Sequence, residues 1–166
     1  MLVIGVDPGT ASTGYGLVRQ IQGGELELVD YGVFTTPADQ CMSKRLVKLY
    51  DDLTTLLTLH RLDSGAVEQL FFQKNVTTAI TVGQARGVAL LAIAQAGVPV
   101  DEYTPREIKQ AVVGYGGADK IQVQKMVKTL LNMETIPRPD DAADALAVAI
   151  CHLHSSQTRR HLEESL

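Results

Sequence analysis

At 166 residues, 45% of them hydrophobic, the chain is long enough to bury a core without disulfides or a structural metal, and without Trp that core must rest on Leu, Ile, Val and Ala. A net charge of −4 argues against nucleic-acid binding by overall charge, and Cys41 and Cys151 lack any zinc-finger spacing and fit reduced thiols in a cytoplasmic protein. Asp7 interrupts the first apolar run and the apolar stretch at residues 88–96 is short, so neither a signal peptide nor a membrane span is expected.

Residues 2–6 form an apolar, β-branched run closed by Asp-Pro-Gly, which predicts a buried strand ending in a turn. Residues 15–19 and 26–35 read as two more strands separated by Gly23-Gly24, and together the three suggest an antiparallel meander. Leu46, Leu49, Tyr50, Leu53, Leu56, Leu57 and His60 then recur at helical spacing, predicting an amphipathic helix over residues 42–60. Residues 65–67 are a short buried strand ending at Glu68. Residues 76–96 predict a helix that is apolar nearly all round, buried or at an interface. Its small residues Gly83, Ala85, Gly87 and Ala89 would allow a second copy to approach across a two-fold axis.

Residues 98–103 predict a further strand. Thr104-Pro105-Arg106-Glu107 is a capping box that starts a helix reaching about residue 113. Gly114, Gly116 and Gly117 form a link, and Asp119 can cap a helix through residue 131. After Pro137 and Pro139 a last helix starts near Asp140. No repeat or linker divides the chain. Residues 1–154 therefore read as a single domain, and residues 155–166 as a polar tail that frays. Three antiparallel strands followed by alternating helix and strand predict an α/β fold: a five-stranded mixed sheet, three strands antiparallel and two parallel, covered by helices. A right-handed crossover places the fourth strand beside the first.

Charge is uneven along this order. Between Lys74 and Arg138 eight basic residues face five acidic ones, a local excess that suits phosphate binding but equally suits solvated helix faces. The acidic residues are more informative. Asp7 ends the first strand and Glu68 the fourth, so parallel neighbours would bring both to one sheet edge. Asp141 and Asp144, spaced i, i+3, share a helix face, and the alanines around them allow close packing on the sheet. Taken singly, Asp7 could be a turn residue, Glu68 a solvated strand end, and Asp140 or Asp141 a helix cap. Together they form a carboxylate cluster that repels itself unless a cation joins it. All-oxygen ligation suits Mg²⁺ or Mn²⁺, and two such ions ~4 Å apart can activate water for phosphodiester hydrolysis. His152 and His154, spaced i, i+2, diverge on a helix and are no metal pair.

Four ordered stretches carry a family likeness. They are Gly5-Val6-Asp7-Pro8-Gly9 with Gly14-Tyr15-Gly16, then the nine residues from Val67 to Asn75, then Tyr103-Thr104-Pro105 with Lys109, Gly114 and Asp119-Lys120, and last Asp141-Ala142-Ala143-Asp144. This pattern resembles the RuvC family of Holliday junction resolvases over residues 1 to about 154. The resemblance implies a ribonuclease-H-like fold and a homodimer that binds a four-way DNA junction. It implies symmetric nicks in two strands of like polarity and ends that a ligase can seal. It further implies one or two Mg²⁺ per subunit, with Mn²⁺ able to substitute, held by Asp7, Glu68, Asp141 and Asp144 as catalytic and metal-binding residues. Lys109 and Lys120 match positions that contact phosphates, Phe71 matches an aromatic that stacks on a junction base, and Lys74 falls in the same DNA-binding motif. A bacterial cytoplasmic setting and a branch-migration motor as partner come with the resemblance. Two departures stand out: some members carry His at the position of Asp141, and this chain is acidic overall.

Three rival readings fit these residues less well. Asp7-Pro8-Gly9-Thr10 resembles a phosphate loop of sugar kinases and actin-like ATPases, but those need two such domains. A ribonuclease H acting on RNA–DNA hybrids is the nearer alternative, against which the Asp141–Asp144 pair and the Glu68 loop weigh. A catalytically dead junction binder would not need four intact carboxylates.

Overall fold

The computed structural model describes residues 1–69 and 76–164. In chain order it has β1 (Leu2–Asp7), β2 (Ser12–Gln20), β3 (Leu26–Thr35), α1 (Met42–Leu59), β4 (Ser64–Glu68), α2 (Val76–Gln95), β5 (Val100–Tyr103), α3 (Pro105–Val113), α4 (Lys120–Leu130) and α5 (Asp140–Glu164). The strands form one sheet in the order β3-β2-β1-β4-β5. β1, β2 and β3 pair antiparallel, while β4 and β5 join parallel to β1. This is the mixed sheet the pattern predicted, with β4 beside β1.

Three boundaries differ from the sequence reading. β2 starts at Ser12, because its ladder with β3 reaches Ser12 opposite Thr35 and its ladder with β1 reaches Gly14 opposite Asp7, in a stretch whose small residues hide its strand character. β5 starts later than residue 98, because Val98 N–H donates to Ile93 O and Gly97 N–H to Ala94 O, with Gly97 at φ 72°. That is a Schellman end to α2, and it consumes the first residues expected of the strand. α5 runs on to Glu164, into the segment read as a polar tail.

Strand alternation sorts the core into two layers. Leu2, Ile4 and Val6 of β1, with Leu17 and Val67, pack under α1 and α2. Val3, Val18 and Ala66 pack under α3, α4 and α5. Asp7 shares its parity with Val3, and Glu68 with Ala66, so both carboxylates belong to the α5 face. The predicted capping box forms, with Thr104 and Glu107 starting α3, and Asp119, expected only as a cap, makes a second box with Gln122 at the start of α4.

α5 lies on β1 and β2 at backbone distance. A Cβ at Gly14 would sit 1.9 Å from the Asp141 carbonyl oxygen, and one at Gly5 would sit 2.3 Å from that of Ala145. Only glycine opposite the alanines lets the helix approach this far. α2 is long and apolar enough to cross a bilayer by length and composition, more so than residues 88–96 alone indicated. It nevertheless buries Ala85, Ala89, Ala92 and Ile93 in the protein core and pairs Arg86 with Glu102 of β5.

Candidate active site

Three elements place the four acidic residues of the site. Asp7 ends β1, Glu68 ends the parallel β4, and Asp141 and Asp144 occupy the first turns of α5. The turn behind Asp7 is braced from within: the buried Thr13 hydroxyl donates to Gly9 O at 2.6 Å and accepts from Gly9 N–H at 3.3 Å. The close helix–sheet contact at Gly14 then sets Asp141 beside Asp7. Carboxylate oxygens of Asp7, Asp141 and Asp144 lie within 4.8 Å of one another. Glu68 joins them through a side-chain hydrogen bond with Asp7.

The electrostatics are those of carboxyls forced together. Burial, then Glu68, Asp144 and Asp141, push the Asp7 carboxyl up to about 8. Burial also raises Glu68, aided by Asp144 and opposed by the hydrogen bond with Asp7 and by Lys109 and Lys120. Asp144 is raised by burial, with Lys120 pulling the other way. Burial would depress Lys120, but its bond and charge interaction with Asp144, and then Asp140, outweigh that and hold the ammonium above its ordinary value. Lys120 Nζ stands 2.9 Å from Asp144 and 3.5 Å from Asp140.

Both lysines line a cavity of about 220 Å³ with Glu68 and Asp144, and Ile108 and Val123 add apolar surface to its wall. Lys109 comes from α3 and Lys120 from α4, so the two capping boxes aim them at the carboxylates. A donor set made only of carboxylate oxygens, with raised affinity for protons, is one that a hard divalent cation fits and that zinc's usual nitrogen and sulfur sites do not resemble. Phe71 and Lys74 lie outside the described residues.

Sequence reasoning missed three supports of this site. Asp140, one of two candidate caps, gathers Lys120, Arg138 at 2.5 Å and Gln124 at 3.1 Å, and the Gln124 bond leads in holding its carboxyl below the usual range. His152 is buried between Ser64 Oγ at 2.7 Å and Tyr103 OH at 3.0 Å, tying α5 to the start of β4 and, through the Tyr103 side chain, to the end of β5 that pairs with Glu68. Polar residues inside an apolar helix are the signal that could have found it. The close approach at Gly5 and Gly14 was hidden because a glycine in a strand does not say what lies above it.

The family model for the crossover junction endodeoxyribonuclease RuvC matches residues 3–152. The chain is 58% identical over 158 residues to the crossover junction endodeoxyribonuclease RuvC of Chloroflexus aurantiacus, covering 95% of this chain and 96% of that one. It is 54% identical to the protein of the same name from Syntrophomonas wolfei, covering 99% and 95%. Among solved structures it is similar to Thermus thermophilus RuvC in complex with Holliday junction substrate, with a TM-score of 0.90 and 35% identity over 95% of this chain and 96% of that chain.

Proposed function

The chain belongs to the RuvC family of crossover junction endodeoxyribonucleases, and from that premise we propose that it resolves four-way DNA junctions by paired, symmetric nicks. The observation that carries this reading is the carboxylate cluster of Asp7, Asp141 and Asp144, with Glu68 bonded to it, at one end of a sheet of the family's fold. The four carboxylates hold divalent metal, Mg²⁺ with Mn²⁺ as a substitute. When bound, the metal supplies an activated water and stabilises the leaving oxygen of the cut phosphodiester.

The chain's own residues do the rest. Lys120, kept charged by Asp144 and Asp140, and Lys109 across the cavity bind the phosphates flanking the cut. Their charge lies where the DNA backbone must pass, so an acidic chain needs no overall positive charge to bind. Phe71 stacks on a base unpaired at the crossover, and Lys74 adds a phosphate contact. Paired nicks require two active sites, and the chain acts as a homodimer. α2 is the element suited to the interface, since Ile80 and Leu91 are more than half exposed on it. The reaction takes place in the bacterial cytoplasm, next to a motor that moves the junction.

A ribonuclease H would use a similar cluster on RNA–DNA hybrids. Incubating the protein with Mg²⁺ and either a four-way junction or a hybrid duplex separates the two. Cleavage of the junction into ligatable nicked duplexes, with the hybrid left intact, is expected. Preferential cutting of the hybrid would overturn the proposal.

A further inference from the structure

The sheet edge that holds the carboxylates carries a second feature, on the side away from Lys109 and Lys120. β2 starts at Ser12 opposite Thr35, the end of β3, so the chain leaves β3 beside the turn that follows Asp7. Thr36 is fastened there: its N–H donates to Ala11 O at 3.2 Å and its hydroxyl donates to Thr10 O at 2.5 Å. The same hydroxyl oxygen accepts from Arg45 Nε at 2.8 Å. Arg45 lies in the first turn of α1.

This bond uses only Nε. Among the described residues no carboxylate pairs with Arg45, and neither terminal nitrogen bonds a described residue. The guanidinium is therefore oriented through one nitrogen while its two-nitrogen fork is left open. Stability does not explain the arrangement. A cation in the first turn of a helix opposes the helix dipole, and α1 has no acidic residue there to offset it. A planar fork held by Nε suits a phosphate, which accepts two parallel N–H bonds.

We infer that Arg45 binds a DNA backbone phosphate through its two terminal nitrogens, with Thr36 holding the guanidinium against the turn that carries Asp7. This deepens the proposed function and rests on DNA being the substrate. It would set a phosphate contact beside the turn after Asp7, on the β3 side of the strand order, opposite the β4 side where Glu68 and the two lysines lie. The backbone would thus be gripped across the cutting position.

The test is binding of a fluorescent four-way junction, in EDTA so that no cutting occurs, titrated from low to high salt. One phosphate contact contributes about 0.9 to the slope of log K against log salt, or roughly tenfold in affinity between 0.1 M and 1 M. Arg45→Ala should lower the slope by about one, whereas Arg45→Lys, which keeps the charge, should retain it. Arg45→Gln gives the same reading if the alanine variant folds poorly. A loss of affinity with an unchanged slope would show that Arg45 only shapes the turn, and unchanged affinity and slope would remove it from the DNA path; either result overturns the inference. Wild-type protein that binds junction and plain duplex equally and cuts neither in Mg²⁺ would instead overturn the proposed function, while the slope difference still decides the role of Arg45.

Discussion

Replacing Asp7 by Asn removes a charge that the folded protein resists. In the unfolded chain the carboxyl titrates near 3.8, whereas in the folded, metal-free protein it is pushed up to about 8 by burial and by Glu68, Asp144 and Asp141. Between those values the folded state holds a proton that the unfolded chain has released. Stability is thus fully present below pH ~4 and declines as pH rises toward 8. The rise from 3.8 to about 8 sets a ceiling of roughly 5–6 kcal/mol. Glu68 and Asp144 are raised as well, so the strain is shared, and removing Asp7 alone should recover about 2–3 kcal/mol. For a chain of this size that is ~5–10 °C in Tm. Thermal unfolding followed by circular dichroism in EDTA reads it directly. Asp7→Asn should melt higher than wild type at pH 8 and match it at pH 4. Mg²⁺ at pH 8 should raise the Tm of wild type more than that of the variant. Equal melting of the two proteins at pH 8 without metal would refute the reasoning.

Three further sets of substitutions separate the remaining contributions. Gly14→Ala drives a Cβ to within 1.9 Å of the Asp141 carbonyl oxygen, so α5 must lift; a loss of about 2–3 kcal/mol in urea unfolding is expected, with cleavage reduced well beyond what the folded fraction explains. Phe71→Ala should slow single-turnover cutting of an intact junction far more than of one already unpaired at its centre, stacking being worth ~1–3 kcal/mol, whereas Lys109→Ala and Lys120→Ala should slow both alike and flatten the salt dependence of binding. Leu91→Asp and Ile80→Asp place charge on the exposed face of α2; sedimentation at micromolar concentration should show monomers, against dimers for wild type, and unchanged mass would move the interface elsewhere.

The sheet was legible because its signals are local. An apolar run ending in Asp-Pro-Gly, a capping box, a cap at Asp119 and the helical spacing of leucines in α1 each decide their own element, and the crossover rule then sets β4 beside β1. The carboxylates were legible for the same reason: Asp7 and Glu68 end strands that pair, and i, i+3 spacing keeps Asp141 and Asp144 together. What the sequence hides depends on contacts between distant elements. Lys120 meets Asp144 across 24 positions, and His152 meets Ser64 across 88. Nothing near Arg45 in sequence announces that its Nε will meet the hydroxyl that closes the turn after Asp7. Gly14 looked like part of a motif, and only the helix above it gives the physical reason for glycine.

The central claim, that these carboxylates cut junctions through bound metal, is tested most directly by single-turnover cleavage of a labelled four-way junction by wild type and Asp7→Asn, first in EDTA and then with Mg²⁺ added back, with junction binding measured alongside. Wild type should cut only after Mg²⁺ is added, giving paired nicks at symmetric positions. Asp7→Asn should bind the junction as tightly or tighter and cut it at least a thousandfold more slowly, on the order of 4 kcal/mol of lost transition-state stabilisation. Cleavage by wild type in EDTA, or by Asp7→Asn at the wild-type rate, would contradict the account.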